Sequence, residues 1–232
     1  MDTPSLSRQG GNVDFTGIAD EYDRWYETPF GRAYDTVEKK AVERMLPDDS
    51  GGRRLLEVGC GTGHWSAFFS ERGFLVNGVD ISSEMISRAA RKQIPNASFK
   101  VADAHALPCE DGRFDMAAAI TTLEFVRDAE GVVAEMARCT RSGGVLLAGV
   151  LNALSGLNIR RKRAGAGPYA TARFFSPAQL EALLAPFGNV EIAVAAFVPR
   201  RAWALPFAAL TDLAGRVFGS RRGAFLVGKA AL

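Results

Sequence analysis

The chain has 232 residues and a net charge of +2, and 47% of its residues are hydrophobic while 23% are charged. This balance is typical of a globular protein and excludes a disordered chain or a coiled coil, and the length suits one domain with a substantial core. The N-terminus is polar, and no run of 18 apolar residues occurs. The three cysteines lack the spacing of a disulfide framework. These features predict a cytoplasmic protein.

The N-terminal region is predicted to be a short tail followed by helix. Residues 1–14 are predicted to be flexible, and residues 15–232 to form a single domain. Apolar side chains at helical spacing over 15–52 indicate an amphipathic helical region that includes Tyr22 and Tyr26. These two side chains suit a lid over a ligand, and simple packing into the core is the alternative.

Residues 53–151 alternate regularly between short apolar strands and helices of about ten residues. This pattern predicts an α/β fold of the Rossmann-like type, with a parallel sheet and helices on both faces. The predicted strands are Arg54–Val58, Phe74–Val79, Ala97–Val101, Phe114–Ile120 and Gly143–Val150, and the predicted helices are His64–Glu71, Ser82–Lys92 and Ala129–Cys139.

Residues 152–232 follow a looser pattern and carry 11 basic but only 3 acidic side chains. Residues 152–171 are predicted to be a basic loop on the substrate side, and Ser176-Pro177 begins a helix that ends near Leu184. Residues 190–198 and 223–230 are predicted strands, and 202–218 an apolar helical insertion. The two strands complete a seven-stranded, mainly parallel sheet with an antiparallel edge strand.

A glycine-rich turn follows the first buried strand, in the segment Leu55-Leu56-Glu57-Val58-Gly59-Cys60-Gly61-Thr62-Gly63. Glycine permits a sharp turn and lets backbone N–H groups approach a ligand that a Cβ would exclude. Such a loop at the carboxyl end of a strand lies where open α/β sheets bind nucleotides. The carboxylate of Glu57 favours a cationic ligand over a pyrophosphate.

The segment from Glu57 to Gly63 resembles the first motif of the class I S-adenosylmethionine-dependent methyltransferases. The resemblance covers residues 15–151 and is strongest for the small-molecule branch that includes the quinone-biosynthesis methyltransferases. It implies S-adenosyl-L-methionine as the cofactor, and it implies that Glu57, Gly59, Gly61 and Gly63 form part of the cofactor site.

Further motifs extend the resemblance along the chain. Asp80 ends the second strand, where a carboxylate accepts both ribose hydroxyls; the alternative is an acid that stabilises a helix N-terminus. The family pattern implies that Ile81 and Met85 flank the adenine and that Asp103-Ala104 lies near its amino group. It also places Thr121 at the reactive end of the cofactor and Tyr22 in a lid above it.

Methyl transfer from a sulfonium needs alignment and exclusion of water more than it needs a catalytic triad. Glu124, just after the fourth strand, is the candidate base or substrate-orienting residue, and a solvated acid at a helix start is the alternative. His64 and His105 are interpreted as structural. No metal-ligand spacing is found, so no metal is predicted.

The acceptor is predicted to be a small or lipid-like molecule. Nucleic acid is disfavoured because Thr121-Thr122-Leu123-Glu124 does not match the motif of amino-directed DNA methyltransferases, and the basic run 160–163 suits a solvated loop. Residues 200–222 place apolar side chains between arginine pairs, which is typical of a helix at an anionic membrane surface. Peripheral contact with the inner membrane face is therefore one hypothesis, and a cover over the substrate pocket is the other.

Two other functions stay open at this point. One is a protein that binds S-adenosylmethionine without transferring its methyl group, as a sensor or assembly factor. The other is a nicotinamide-dependent oxidoreductase, against which stand Glu57 and the presence of His64 where a third glycine is expected.

Overall fold

The computed structural model describes residues 8–9, 12–13, 19–165 and 167–232, and the side chains from Tyr22 onward except those of 166–168. The two-residue strands Arg8–Gln9 and Asn12–Val13 pair antiparallel. Most of the tail predicted over 1–14 lies outside the described residues, as does the start of the predicted helical region at 15–18.

Seven strands form the main sheet. They are β1 (Arg54–Val58), β2 (Leu75–Asp80), β3 (Ala97–Val101), β4 (Phe114–Ile120), β5 (Thr140–Leu151), β6 (Asn189–Ala195) and β7 (Phe225–Ala231). Their order is β3-β2-β1-β4-β5-β7-β6, with β1 to β5 parallel and β7 antiparallel to both of its neighbours. The prediction of a mainly parallel seven-stranded sheet with an antiparallel edge is confirmed; the antiparallel strand lies one position in from the edge.

Helices pack on both faces of this sheet. The α-helices are α1 (Ala19–Glu27), α2 (Pro29–Glu43), α3 (His64–Glu71), α4 (Ser83–Arg91), α5 (Ala129–Cys139), α6 (Gly156–Ala164), α7 (Pro177–Leu184) and α8 (Ala208–Val217). Short 3₁₀ turns occupy Gly167–Ala170, Ala185–Phe187 and Ala202–Phe207. No helix within the described ranges combines the length and the apolar character needed to cross a bilayer.

Strand β1 shows why the sheet is covered on both faces. Leu55 and Leu56 are adjacent, so their side chains point to opposite faces, and both are fully buried. Leu55 belongs to a cluster with Val37 of α2 and Phe69 of α3, whereas Leu56 belongs to one with residues of α5 and α7. Burying each leucine contributes about 1.5–3 kcal/mol to stability.

The strand order positions the edge at which a ligand binds. The connection after β1 leads to β2 and β3 on one side, whereas β4 and β5 lie on the other side of β1. The loops after β1 and β4 therefore leave the sheet in opposite directions and leave a crevice at the carboxyl ends of these strands. The glycine loop and the acidic motifs lie at or just after the carboxyl ends of β1, β2, β3 and β4.

The prediction of a loop over 152–171 is wrong, because the structure has α6 at Gly156–Ala164. Ser155 caps its first turn by accepting a hydrogen bond from the N–H of Leu157, and Gly165 ends it in the left-handed conformation. The basic run within it has no apolar periodicity, so the cap residues were the only sequence signal for a helix. The predicted N-terminal helical region is divided into α1 and α2 by Thr28 and Pro29.

Helix α8 is fixed to the sheet by a buried carboxylate. Asp212 is almost fully buried, and its Oδ1 accepts a hydrogen bond from the N–H of Ala196 at 2.8 Å. The guanidinium of Arg216 donates to its Oδ2 at 3.0 Å. The carboxylate thus satisfies a backbone donor just after β6 that α8 would otherwise leave buried and unpaired.

We expect Asp212→Ala to lower the free energy of unfolding by about 1–3 kcal/mol, because the N–H of Ala196 then has no acceptor. Urea unfolding measured by circular dichroism tests this, with Asp48→Ala, an exposed aspartate, as the control. Equal stabilities of the two variants would show that this carboxylate does not hold α8 in place.

Candidate functional site

A cavity of about 520 Å³ opens at the carboxyl edge of the sheet. This volume lies within the range of roughly 300–1,000 Å³ that small-molecule sites occupy. The ends of β1, β2 and β4 form its floor, and residues of α1, α2 and α6 form its walls. Among the residues predicted from sequence, those that line it are Tyr22, Gly59, Gly61, Asp80, Ile81, Met85, Asp103, Ala104 and Thr121.

Glycine is required at two positions of the loop after β1, for different reasons. Gly59 has φ +70°, and a Cβ there would lie 2.4 Å from the hydroxyl oxygen of Thr122. Gly61 has φ +52°, and a Cβ there would meet only the Tyr22 ring, at 3.9 Å, across the cavity. Gly59 therefore permits close packing of β1 on β4, whereas Gly61 leaves space beside the backbone for a ligand.

Gly63 does not line the cavity. It has φ +82°, and a Cβ there would lie 2.9 Å from Ile94 Cδ1, on the side facing α4. Gly63 therefore allows the start of α3 to pack closely against α4.

Asp80, at the end of β2, directs its carboxylate into the cavity. Its Oδ2 accepts the N–H of Gly61 and its Oδ1 accepts the N–H of Ser82, each at 2.9 Å. Burial raises the pKa of Asp80 above its ordinary value, and these backbone hydrogen bonds oppose that rise. Each oxygen keeps a lone pair for a further donor such as a ribose hydroxyl.

Ile81 and Met85 provide apolar surface beside this carboxylate. Ile81 is 41% exposed and Met85 is buried, and both line the cavity. Two apolar side chains in the cavity wall suit an aromatic base.

Asp103 and Ala104 line the same end of the cavity. The Oδ1 of Asp103 accepts the N–H of His105 at 2.9 Å and also pairs with its ring Nδ1 at 2.8 Å. The backbone hydrogen bond from His105 lowers the pKa of Asp103, so the carboxylate is ionised at neutral pH. His105 therefore orients Asp103, in agreement with its interpretation as structural.

Glu57 is buried behind the glycine loop and does not line the cavity. Its carboxylate accepts a hydrogen bond from the hydroxyl of Ser66 at 2.5 Å. Burial raises the pKa of Glu57 to about 8, and the Ser66 hydroxyl opposes this rise. A cation bound at the loop would favour the ionised form of this carboxyl group.

Aromatic side chains of α1 cover the cavity. The hydroxyls of Tyr22 and Tyr26 lie 3.1 Å apart, and the Tyr26 ring stacks on His64 with centroids 3.6 Å apart. The Nε2 of His64 in turn pairs with Asp35 of α2 at 2.7 Å. Tyr22 and Tyr26 both line the cavity, so they form its wall as well as packing on their neighbours.

A polar cluster holds α1 on the glycine loop. The hydroxyl of Thr62 donates to Asp23 at 2.6 Å, and Lys92 Nζ contacts both Asp23 at 3.0 Å and the Thr62 oxygen at 3.1 Å. Three segments distant in sequence thus meet beside the loop, which fixes the aromatic wall relative to the sheet.

Glu124 does not line the cavity, although the sequence made it the candidate base. It is buried, and one carboxylate oxygen accepts the N–H of Leu151 at 2.5 Å. The other oxygen, Oε2, has no hydrogen-bond partner among the described residues. Burial raises the pKa of Glu124 to about 7.

Sequence reasoning missed the residues at the far end of the cavity, beyond Thr121. Glu38 follows the buried Val37 on α2, and no signal in the sequence distinguishes it from the other acidic residues of that helix. Arg161 was hidden in a run of four basic residues. This far end is lined by Trp25, Tyr34, Glu38, Phe125, Arg161 and Tyr169.

Within the described part of the chain, no three histidine, cysteine, aspartate or glutamate side chains are grouped so that they could hold a metal ion.

Comparisons with known proteins find methyltransferases among the similar sequences and structures. Residues 56–148 match the profile of the family described as methyltransferase domain. The malonyl-[acyl-carrier protein] O-methyltransferase of Hamiltonella defensa is 38% identical over 93 residues, which are 40% of this chain and 36% of that protein. The phosphatidylethanolamine N-methyltransferase of Cereibacter sphaeroides is 32% identical over 139 residues, covering 57% of this chain and 66% of that protein.

A solved structure extends the likeness over nearly the whole length. An S-adenosylmethionine-dependent methyltransferase of Thermotoga maritima, titled a possible histamine N-methyltransferase, has a TM-score of 0.72 and 26% identity over 92% of this chain and 96% of its own. The chain spans less than two thirds of the length of the two curated relatives. The nicotinamide-dependent alternative is set aside, because the matched domain and the fold are similar to those of S-adenosylmethionine-dependent methyltransferases, and the cofactor is S-adenosylmethionine.

Proposed function

We propose that this protein transfers the methyl group of S-adenosylmethionine to a small-molecule or lipid-like acceptor. The observation that carries the proposal is the continuity of one cavity, which joins the acidic and glycine motifs to a second group of aromatic and charged side chains. A protein that only bound the cofactor would need the first group alone. Here the wall continues past Thr121 and encloses further space at its far end.

The cofactor end is assigned by the chemistry of the side chains that line it. Asp80 would accept the ribose hydroxyls, and Ile81 and Met85 would contact the adenine. Asp103 and Ala104 would bind near the adenine amino group, and the space beside Gly59 and Gly61 would take the remainder of the cofactor. Glu57 and Gly63 support the loop from behind, and their direct contact with the cofactor stays a prediction.

The bound cofactor supplies an activated methyl group on a sulfonium, so the protein must align the acceptor and exclude water. Tyr22, Tyr26 and Trp25 provide the water-excluding wall next to Thr121. Because the cluster of Asp23, Thr62 and Lys92 holds α1 on the glycine loop, this wall is fixed relative to the cofactor end.

The two curated relatives are named for different acceptors. One relative is named for a malonyl group on acyl-carrier protein and the other for phosphatidylethanolamine. A lipid-like acceptor for this chain is supported by an apolar ridge on the 3₁₀ turn and α8. The ridge consists of Trp203, Phe207, Leu210, Leu213, Val217 and Phe218, whose exposed fractions range from 47% to 85%.

The apolar ridge favours peripheral contact with an anionic membrane. The opposite side of α8 buries Ala208 and Asp212, so the helix is amphipathic and its ridge faces outward. Exposed arginines, Arg200 and Arg201 before it and Arg221 and Arg222 after it, flank the ridge. Each arginine near an anionic surface adds about 1 kcal/mol of attraction, and the apolar side chains enter the headgroup boundary.

The ridge is close to the acceptor end of the cavity. The turn 202–207 and α8 both pack on α2, whose residues Tyr34 and Glu38 line the cavity. The positive charges of Arg161 and Arg200 both act on the Tyr34 hydroxyl. A membrane-bound acceptor would thus have a short path to the site.

We expect Gly61→Ala to weaken binding of S-adenosylmethionine and S-adenosylhomocysteine at least tenfold, because the new Cβ enters the ligand space. Gly52→Ala is the matched control, since Gly52 has φ +71° with no atom within 4 Å of a Cβ and lies outside the cavity. Both variants carry the strain of a left-handed alanine, roughly 1–2 kcal/mol. Calorimetric titration measures the affinities; equal affinities in the two variants would contradict the placement of the ligand.

We expect the purified protein to produce S-adenosylhomocysteine only when a suitable acceptor is present, as measured by mass spectrometry over a panel of lipids, quinones, amines and acids. Asp80→Ala should raise the KM for the cofactor at least about tenfold by removing its hydroxyl acceptor, while Asp111→Ala, with a largely exposed carboxylate, should not. Tight cofactor binding with no turnover on any acceptor would favour the binding protein without methyl transfer.

We expect the protein to float with vesicles that contain anionic phosphatidylglycerol and to stay unbound with neutral phosphatidylcholine vesicles. The double variant Trp203→Ser with Phe218→Ser should lose at least half of this binding, because it removes two of the most exposed apolar side chains. Leu75→Ser, which changes an exposed leucine at the opposite end of the sheet, is the control. Absence of flotation with both vesicle types would rule out the membrane contact.

A further inference from the structure

Glu38 is an acidic side chain in the wall of an otherwise aromatic chamber. It lies on α2, lines the acceptor end of the cavity and has no hydrogen-bond partner among the described residues. Its carboxylate is therefore available to a ligand. Tyr34 lines the same end, and an aromatic side chain beside a carboxylate suits a positively charged group.

Arg161 lies in the same chamber and is held in a fixed orientation. Its guanidinium lies over the Tyr169 ring at 4.8 Å and over the Trp25 ring at 5.7 Å. Its Nη1 donates to the Oδ1 of Asn158 at 3.3 Å. Asn158 is fully buried and donates to the carbonyls of Asn152 and Ala224, and these hydrogen bonds orient its side chain.

Glu38 and Arg161 attract each other without forming a direct ion pair. The positive charge of Arg161 opposes the rise that burial causes in the pKa of Glu38, yet no ion pair within 4.0 Å joins the two in the part of the chain that the structure describes. Both side chains line one cavity, so the space between them is open to a ligand. A molecule that carries a cation and an anion can contact both groups at once.

The groups around Glu38 disfavour its charged form when the chamber holds no cation. Burial is the largest effect, Arg161 and Lys39 oppose it, and Asp35 and Glu124 add to it, so the pKa of Glu38 is raised to about 8. Burial raises the pKa of Tyr26 and of Tyr34, and the charge of Glu38 adds to both shifts. The unpartnered oxygen of buried Glu124 adds a second acidic group behind the same wall.

We propose that Glu38 binds the amino group of the methyl acceptor and takes its proton, while Arg161 binds an anionic group of the same molecule. The inference rests on the proposed function, because it names the acceptor class of that same site. The acceptor is an amine that carries a phosphate or a carboxylate, either as a lipid headgroup or as a free molecule.

The proton and the methyl group balance in this step. An N–H bond of the ammonium breaks and its proton passes to a carboxylate oxygen of Glu38. The nitrogen lone pair forms the new N–C bond as the S–C bond of the cofactor breaks, and the bond electrons remain on sulfur. The products are a methylammonium, a protonated Glu38 and S-adenosylhomocysteine.

A carboxylic acid acceptor would not suit this chamber. A carboxylate nucleophile carries no proton to lose, so it needs no general base, and the charge of Glu38 would repel it. An ammonium must lose a proton before its nitrogen can attack, and a base near neutral pKa is suited to take it. The structure therefore favours an amine over an acid.

The test measures methyl transfer to phosphoethanolamine, to phosphatidylethanolamine in phosphatidylglycerol vesicles, and to a malonyl thioester. We expect turnover with one or both amines, and the comparison of the two identifies a free or a membrane source. At pH 7 we expect Glu38→Gln to lower kcat by at least about 100-fold, the usual contribution of a general base, with unchanged cofactor affinity by calorimetry. Glu43→Gln, an exposed glutamate on the same helix, is the matched control.

The pH profile separates proton transfer from a structural role. A primary amine resembles lysine, with a pKa of about 10.4, so raising the pH supplies free amine that no longer needs a base. The loss in Glu38→Gln should therefore shrink as the pH rises from 7 to 10, whereas a structural loss would stay constant. Arg161→Gln should raise the KM for the amine at least about tenfold with kcat little changed, and Arg163→Gln, an exposed arginine on the same helix, should not.

Methylation of the malonyl thioester or another non-amine acceptor, with none of either amine, overturns this inference and leaves the proposed function intact. Amine turnover that is insensitive to Glu38→Gln, or equally impaired at pH 7 and 10, also overturns it. Cofactor binding without turnover on any acceptor would instead refute the proposed function itself.

Discussion

The reversal of strand order at β1 is the constraint on which the site depends. Because β2 and β4 lie on opposite sides of β1, the loops after β1 and β4 diverge and a crevice opens at their carboxyl ends. Gly59 lets the loop after β1 approach Thr122 closely, and Gly61 keeps the crevice clear of side chains. The cavity is therefore a consequence of topology, and the side chains on its walls determine what it binds.

Burial of carboxyl groups is the second physical theme. Glu57 and Glu124 are buried and Glu38 is half-buried in the cavity wall, and burial raises the pKa of each to between about 7 and 8. Asp80 is also shifted upward, although two backbone N–H groups compensate in part. Burying an ionised carboxylate without a positive partner costs free energy, which is why the pKa values rise. A bound cation such as a sulfonium or an ammonium reduces that cost.

Local sequence signals predicted most of the fold and the cofactor end of the site. Strands with both faces buried are continuous apolar runs, and helix caps such as Ser82 mark boundaries by short-range hydrogen bonds. The helix α6 was missed because its basic residues lack an apolar face, so tertiary anchoring through Asn158 rather than periodicity stabilises it. Glu38 was missed for a related reason, since only the packing of α2 against the sheet turns that carboxylate into the cavity.

The two ends of the cavity differ in how they are built, which explains why one is predictable and the other is not. The cofactor end consists of backbone and short side chains at strand ends, whose positions follow from the hydrogen-bonded register of the sheet. The acceptor end consists of long side chains from α1, α2 and α6, which meet only through tertiary packing. Arg161 lies on α6, outside the sheet, so we expect its substitution to change acceptor specificity without loss of cofactor binding. A cavity whose floor is fixed by topology and whose far wall is set by helix packing thus separates the shared chemistry of methyl transfer from the choice of acceptor.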